Sequence, residues 1–302
     1  MVSRRRARPA DAVDRPVPSC DDHSTKRRRG TATTASSPWP SMPEDLMAHI
    51  ADRVLAGDLL DYVRFRAACR HWRSCTVDPR GRIVADPRFH PRRWMMLPEG
   101  HGLHPGHPRL RGRARFFNRD AGAFVCACIP EFKDHCILDS PDGLLLLQRD
   151  ADTAVRLLHP FTGDIVDLPP LKSLLPQLCQ LTPKQPWLDG EENNLVYFRR
   201  VAAAVSVAQA TGIVTVLLAL EHLCRFAHAS TADRNWTLTS WSVNVNLSRA
   251  LPFHGSFYMA NCDGIGSISR LDVPLLDEGG SPAALSRPQC HHRRQSLNFQ
   301  PN

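Results

Sequence analysis

The sequence predicts an α+β multidomain chain, in which a small all-α segment precedes an all-β antiparallel domain. Apolar residues recur every four positions from Leu46 to Val54, which is the spacing of one helix face. From Asp142 onward, apolar runs of about five residues alternate with Gly, Asp and Pro turns, as in antiparallel hairpins. The 25 prolines disfavour a helical bundle.

Length and charge indicate a folded middle flanked by basic tails. A chain of 302 residues exceeds the usual single domain. Residues 1–30 carry nine basic and four acidic side chains, whereas residues 31–280 balance at 26 against 26. We therefore expect a disordered basic arm over 1–38 and a disordered tail over 276–302. The cluster Lys26, Arg27, Arg28 and Arg29 is a candidate nuclear-import signal, with a solvated tail as the alternative.

Cysteine usage and the N-terminus predict a location in the nucleus, the cytoplasm or both. Ten unevenly spaced cysteines do not form a disulfide framework, and Met1–Arg6 lacks the apolar stretch of a secretory signal. Residues 201–220 are uncharged and long enough to span a membrane. Their polar interruptions and the turn-like Ala210–Ile213 predict instead two buried strands in a hairpin.

The segment 39–75 predicts two or three short amphipathic helices. Ser41–Glu44 fits a capping box, in which the serine and the glutamate satisfy backbone N–H groups of the first turn. Gly57-Asp58 predicts a break, and the following apolar positions form two further stripes: Leu59, Leu60, Val63 and Ala67, then Phe65, Cys69 and Trp72. Some 35 residues are too few to bury their own apolar surface, so these helices either dock on the rest of the chain or await a partner.

The same segment resembles the F-box found in large plant families. The likeness lies in Trp39–Leu46, Ile50–Val54 and Asp61–Arg73; Met42 and Ala68 depart mildly from the usual residues. In that family the F-box packs against the Skp-type adaptor of a cullin-RING ubiquitin ligase. The resemblance implies these adaptor-binding or supporting positions: Met42, Pro43, Leu46, Ile50, Val54, Leu59, Val63 and Trp72. For Trp72 and Cys69 a role in the segment's own core is the favoured alternative.

Residues 76–130 read as a basic connecting region, and residues 131–275 as a propeller-like domain. Ten arginines fall within residues 80–119; solvated faces and loops are favoured over a nucleic-acid patch. Loose repeats of about 40–50 residues suit the blades of a β-propeller. About 45 residues per blade allows roughly four blades, the minimum for closure, so we expect an open or incomplete ring.

Three short motifs resemble the degenerate kelch-like propeller that follows the F-box in those plant proteins. They are Asp139–Gly143, His159–Gly163 and Phe253–Tyr258. Clients of such a domain bind at loops between strands. The candidate loops are Gln148–Thr153, Pro183–Asn194 and Ala229–Asn235. Trp187 is a candidate surface anchor for the client, whereas Trp236, which opens a strand, is expected to point inward.

No catalytic centre is predicted. The chain has no P-loop, no His-Glu-x-x-His and no Gly-x-Ser-x-Gly, and no nucleophile–base pair can be named. Cys126, Cys128, His135 and Cys136 are a weak zinc candidate, because the usual Cys-x-x-Cys spacing is absent; buried structural cysteines on one strand face are favoured. We expect a non-catalytic protein without cofactors.

The sequence therefore predicts a substrate receptor of a Skp–cullin–F-box ubiquitin ligase, which binds a Skp-type adaptor and an unknown protein client. Two alternatives remain open. One is a basic nuclear nucleic-acid-binding protein, against which the balanced charge of residues 31–280 argues. The other is an F-box protein whose shortened receptor domain has lost its client.

Overall fold

The computed structural model of the chain describes residues 42–81, 84–97, 112–181, 198, 200–241, 251–253, 255–260, 268–273 and 289–291. These residues lie in one unit of the chain, residues 40–302. Helices come first and antiparallel sheets follow, so the predicted order of the two fold types is confirmed. The basic arm over 1–38 and its Lys26–Arg29 cluster lie outside the described residues.

The described helices are α1 (Glu44–Gly57), α2 (Leu59–Ala68), α3 (Arg70–Ser74) and α4 (Leu175–Leu181). Asp58 separates the first two: its backbone is extended, and its Oδ1 accepts the N–H of Leu60 at 2.8 Å as the N-cap of α2. The predicted break at Gly57-Asp58 is therefore confirmed. No described helix has both the length and the apolar character that a bilayer crossing requires.

Four antiparallel meanders follow the N-terminal helices in chain order. Sheet A holds β1 (Trp94–Met96), β2 (Arg113–Asn118) and β3 (Phe124–Cys128). Sheet B holds β4 (His135–Asp139), β5 (Leu145–Arg149), β6 (Val155–Leu158) and β7 (Ile165–Leu168). Sheet C holds β8 (Val201–Val207), β9 (Val214–Leu220), β10 (Arg225–Ser230) and β11 (Thr237–Leu238). Sheet D holds β12 (Leu251–Phe253), β13 (Ser256–Ala260), β14 (Ile268–Asp272) and β15 (Gln289–His291).

Strands also lie in two ranges that were predicted to be a basic connection and a disordered tail. Sheet A occupies the range 76–130, which was predicted to be a basic connection. Its arginines alternate with apolar residues: Arg113 and Arg115 are exposed, whereas Ala114 and Phe116 are buried. Exposed arginines at alternate positions are compatible with a strand, but in the sequence they obscured the pattern of the buried residues between them. Likewise β15 lies in the range 276–302, which was predicted to be a disordered tail. No strand was predicted there, because backbone pairing with β14 requires no apolar pattern.

The uncharged segment 201–220 forms the predicted hairpin. Strands β8 and β9 pair from Val201 opposite Leu220 to Val207 opposite Val214. Gly212 lies in the turn with φ +70°, a conformation that favours glycine. Every residue of β9 is buried, which accounts for the absence of charge that suggested a membrane span.

The sheets stack face to face because consecutive side chains of a strand point to opposite faces. In β5, Leu146 packs into the core that sheet B shares with sheet C, whereas Leu147 packs into the core shared with sheet A. A third cluster joins Phe226 of sheet C to Phe257 of sheet D. Each inner sheet is therefore buried on both faces, as in neighbouring propeller blades.

Each of the two terminal sheets has one face that carries exposed apolar side chains. On sheet A this face carries Met95 and Phe124, the latter 63% exposed. On sheet D it carries Leu251, Phe253 and Ile268, which are also exposed. The ring is thus open between sheets A and D in the part of the chain that the structure describes.

Candidate adaptor surface and its anchorage

Helix α1 carries two apolar stripes that face different surroundings. Three residues spaced by four are buried in the chain's own structure: Met47, Ala51 and Leu55. The predicted adaptor stripe lies one residue earlier. Leu46 is 48% exposed, Ile50 is half-buried, and Val54 is half-buried against the core. The helix therefore docks on the chain with one stripe and presents the N-terminal part of the other to solvent.

The predicted adaptor positions on α2 are likewise divided between a buried and an exposed residue. Leu59 is buried in the core that the helices share with sheets B and C, so it supports the surface from beneath. Val63 is 42% exposed. Trp72 of α3 is half-buried and stacks on Phe65, with ring centroids 4.5 Å apart and an interplanar angle of 25°. Exposed apolar side chains thus lie on both α1 and α2, and α3 adds the half-buried ring of Trp72.

The start of α1 differs from the predicted capping box. The helix begins at Glu44, and Pro43 is its N-cap without a side-chain hydrogen bond; Ser41 lies outside the described residues. Proline fits before the helix because its carbonyl still accepts the N–H of Met47 at 3.1 Å. Met42 is half-buried, and its carbonyl contacts His71 Nε2 at 2.9 Å, which ties the start of α1 to α3.

Cys69 and Trp72 do not form a buried core of the helical segment. Both are only partly buried. Cys69 is the N-cap of α3, and its Sγ accepts the N–H of Trp72 at 3.4 Å. Burial on α2 falls on Leu59, Tyr62 and Arg66, and Trp72 contributes to the packing of the segment by stacking on Phe65.

Asp58 anchors the helices to sheet A. While its Oδ1 caps α2, its Oδ2 accepts the indole N–H of Trp94 at 2.9 Å and the amide N–H of Asn118 at 2.8 Å. Trp94 is buried, and Asn118 is 1% exposed. One carboxylate thus satisfies the first turn of α2 and two buried donors from β1 and β2, which fixes the helices relative to the sheet.

A second anchor lies at the opposite end of α2. The Tyr62 hydroxyl donates to the carbonyl of Val77 at 2.8 Å, and the guanidinium of Arg66 donates to the same carbonyl. Arg66 also pairs with Asp78 at 3.3 Å. Burial raises the pKa of the Tyr62 hydroxyl above its ordinary value. The segment after α3 is therefore folded back onto α2.

The comparisons with known proteins bear on the sheets. The family model described as KIB1-4 beta-propeller matches residues 116–297, which is more than half of the chain. The chain belongs to the KIB1-4 beta-propeller family. No curated protein and no solved structure matches the chain. The match begins within β2 and includes sheets B, C and D, so the N-terminal helices precede it.

Within the KIB1-4 propeller, the motif His159–Gly163 forms the turn between β6 and β7. His159 is fully buried: its Nε2 donates to the Phe89 carbonyl at 3.2 Å, and its Nδ1 accepts the N–H groups of Phe161 and Thr162, both at 3.3 Å. Burial lowers the pKa of His159 to about 4, so the ring is neutral at physiological pH. The motif therefore fixes the segment that leads into sheet A.

The motif Asp139–Gly143 joins sheet B to its neighbours. Asp139 Oδ2 accepts the N–H of Ala203 on β8 at 2.5 Å, and burial raises the pKa of the Asp139 carboxyl above its ordinary value. Gly143 has φ +82°, and a Cβ at this position would overlap the Pro91 carbonyl. Sequence reasoning recognised both motifs by resemblance, but their contacts are tertiary and had no local signal.

The predicted client loops are described only in part. Gln148 and Thr153 are buried, and Thr153 Oγ1 accepts the N–H of Lys172 at 2.9 Å, so the ends of that loop pack internally. In the range Ala229–Asn235, the first two residues belong to the buried strand β10 and the tip is largely exposed. The loop Pro183–Asn194 and Trp187 lie outside the described residues.

Trp236 and the cysteines have clear positions. Trp236 points inward as predicted: it is 1% exposed, and its Nε1 donates to the Pro169 carbonyl at 2.6 Å. Cys126 and Cys128 share one face of β3 but are exposed, which corrects their expected burial, whereas Cys136 is buried. His135 Nδ1 contacts Asp134 Oδ1 at 2.7 Å. No cluster of three or more metal-ligating side chains occurs among the described residues.

Proposed function

We propose that this chain is the substrate receptor of a Skp–cullin–F-box ubiquitin ligase. Helices α1 to α3 act as the F-box and bind a Skp-type adaptor, while the KIB1-4 propeller holds a protein client. The observation that carries the proposal is the second stripe of α1. Helix α1 already buries Met47, Ala51 and Leu55 in its own chain. The exposed Leu46 beside Ile50 therefore contributes nothing to that internal packing, and it fits a contact with another protein.

Adaptor binding would extend over neighbouring apolar positions of the three helices. Leu46 and Val63 supply exposed aliphatic surface, and Ile50 and Trp72 supply half-buried surface beside it. Leu59 contributes by holding α2 in place, and the two anchors of α2 keep the surface rigid. Such a receptor performs no chemistry itself; it raises the effective concentration of a client lysine near a ubiquitin-charged enzyme.

The decisive test is a quantitative pull-down of a Skp-type adaptor with purified full-length chain. Leu46→Asp places an unpartnered charge in the interface and should weaken binding by about thirtyfold or more, which corresponds to about 2 kcal/mol. Because Leu46 is 48% exposed in the free chain, the substitution should leave the unfolding midpoint almost unchanged.

Leu251→Asp is the matched control, since Leu251 is 63% exposed but lies in β12 of sheet D, outside the proposed surface. It should bind the adaptor like the wild type. A wild-type chain that retains no adaptor would overturn the proposal, as would a Leu46→Asp chain that binds normally. Adaptor binding without any ubiquitinated client would favour a receptor that has lost its client. We also propose that the protein is located in the nucleus, the cytoplasm or both, with Lys26–Arg29 as the import cluster.

A further inference from the structure

The outer edge of sheet A is one strand short of its neighbours. Sheets B, C and D each pair four strands, whereas sheet A pairs three and ends at β3 in the part of the chain that the structure describes. Asn118 N–H bonds to the Ala123 carbonyl, and Ile129 N–H bonds to the Gly112 carbonyl. In this register, alternate residues of β3 turn their backbone groups away from β2. The residues so oriented are Phe124, Cys126 and Cys128.

The free edge lacks the devices that normally protect an edge strand. Residues 124–128, Phe-Val-Cys-Ala-Cys, contain no charge and no proline. Exposed edges are usually blunted by charged side chains, proline or a covering element, because unpaired N–H and C=O groups recruit further strands. Phe124 is 63% exposed. The strand therefore has the composition of one that pairs on both sides.

A groove follows this edge. It has a volume of about 420 Å³ and is lined by residues 125–128 of β3, by Leu59, Leu60 and Val63 of α2, by Trp94 of β1 and by the turn 160–163. Consecutive strand residues point to opposite faces, so a cavity that touches four in a row runs along the edge. A strand residue in a packed sheet occupies about 160 Å³, so the groove holds about three residues of an extended chain.

The two faces of an added strand would meet different chemistry. One face would enter the groove, whose walls include the apolar side chains of Val125, Ala127, Leu60 and Val63. The other would lie beside Cys126 and Cys128, and the direct partner of Cys128 on β2 is the exposed Arg113. Because the cysteine side chain is short, the long side chain of Arg113 can reach over it towards the next strand. Charge complementarity selects acidic residues on that face.

We propose that the edge of β3 binds an extended segment of the client by strand addition, with apolar and acidic side chains alternating along that segment. This inference deepens the proposed function and rests on it. Backbone hydrogen bonds to the edge of β3 supply affinity, and the apolar groove and Arg113 supply selectivity, as in other recognition by strand addition. The client site then lies at the junction of α2 and sheet A.

The test uses the full-length chain without adaptor and a labelled ten-residue peptide that alternates valine and glutamate. Binding is followed by fluorescence anisotropy, with a valine–lysine peptide as the matched control. The glutamate peptide should bind at least tenfold more tightly than the lysine peptide. Arg113→Glu should reverse or abolish this preference, because it inverts the charge of an exposed residue on that face.

A proline variant, which removes one backbone N–H, distinguishes strand addition from electrostatic attraction alone. Cys126→Pro removes an N–H that faces the free edge and leaves the bonds to β2 in place, so it should weaken peptide binding at least tenfold. Cys126→Ala keeps that N–H and should bind within twofold of the wild type. Unchanged thermal midpoints and adaptor pull-down for both variants verify the fold.

Four results would overturn the inference: no binding of the glutamate peptide, equal affinity for the lysine peptide, equal affinity of the proline and alanine variants, or displacement of the peptide by the adaptor. Displacement would do so because the proposed receptor holds client and adaptor together, while Val63 lines the groove and also belongs to the adaptor surface. A chain that binds the adaptor but not the peptide refutes only this inference. A chain that binds no adaptor refutes the proposed function.

Discussion

Removing the Asp58 carboxylate should destabilise the whole junction between the helices and sheet A. In Asp58→Ala, α2 loses its N-cap, which costs about 1 kcal/mol. The substitution also leaves the indole N–H of Trp94 and the amide of Asn118 without their acceptor, and each orphaned buried donor costs about 1–3 kcal/mol. We expect a total loss of about 3–7 kcal/mol, a large part of the 5–15 kcal/mol typical of a folded domain.

The assay is equilibrium unfolding in urea, followed by tryptophan fluorescence, with far-UV circular dichroism as a second probe. Asp61→Ala is the control: Asp61 is exposed and pairs only with the exposed Arg64 at 3.0 Å, so its loss should cost about 0.5 kcal/mol or less. A loss below about 1 kcal/mol in Asp58→Ala would refute the view that this carboxylate holds the junction together.

Two further predictions concern the motifs of the KIB1-4 propeller. Because burial lowers the pKa of His159 to about 4 from its ordinary 6.5, the unfolded chain takes up the proton first as the pH falls. Stability should therefore decline by about 3 kcal/mol between pH 6.5 and pH 4, and urea unfolding at several pH values should show a shallower decline in His159→Gln. Gly143→Ala should lower the melting temperature far more than Gly163→Ala, because only the first places a Cβ against the Pro91 carbonyl. Similar melting temperatures in differential scanning calorimetry would contradict the close packing at Gly143.

Local signals in the sequence predicted local structure well. The glycine before Asp58 indicated the end of α1, and the glycine within residues 201–220 indicated the hairpin. Both predictions were possible because a turn depends on the types of the few residues that form it. The inward position of Trp236 followed from its place at the start of a strand. The family match supports the propeller that the spacing of short strands had suggested.

Tertiary contacts had no such signal. Asp58 could be predicted as a helix breaker, yet its bonds to Trp94 and Asn118 join residues 36 and 60 positions away. The range of sheet A was predicted to be a basic connection because the exposed Arg113 and Arg115, taken without the buried Ala114 and Phe116, resemble a solvated loop. The stripe of α1 that docks internally, Met47 to Leu55, lies one residue from the predicted stripe, and only packing distinguishes the two.

In the part of the chain that the structure describes, the stack of sheets has two ends, which a closed propeller lacks. There sheet D packs on one neighbour, sheet C, whereas sheets B and C are covered on both faces and share their core with α1 and α2. In a linear stack each unit is held only by its neighbours, so unravelling starts at an end and advances one unit at a time. A pull on the chain beyond His291 would peel sheet D first and reach the helical core last. The adaptor surface would thus outlast the loss of the propeller's far end.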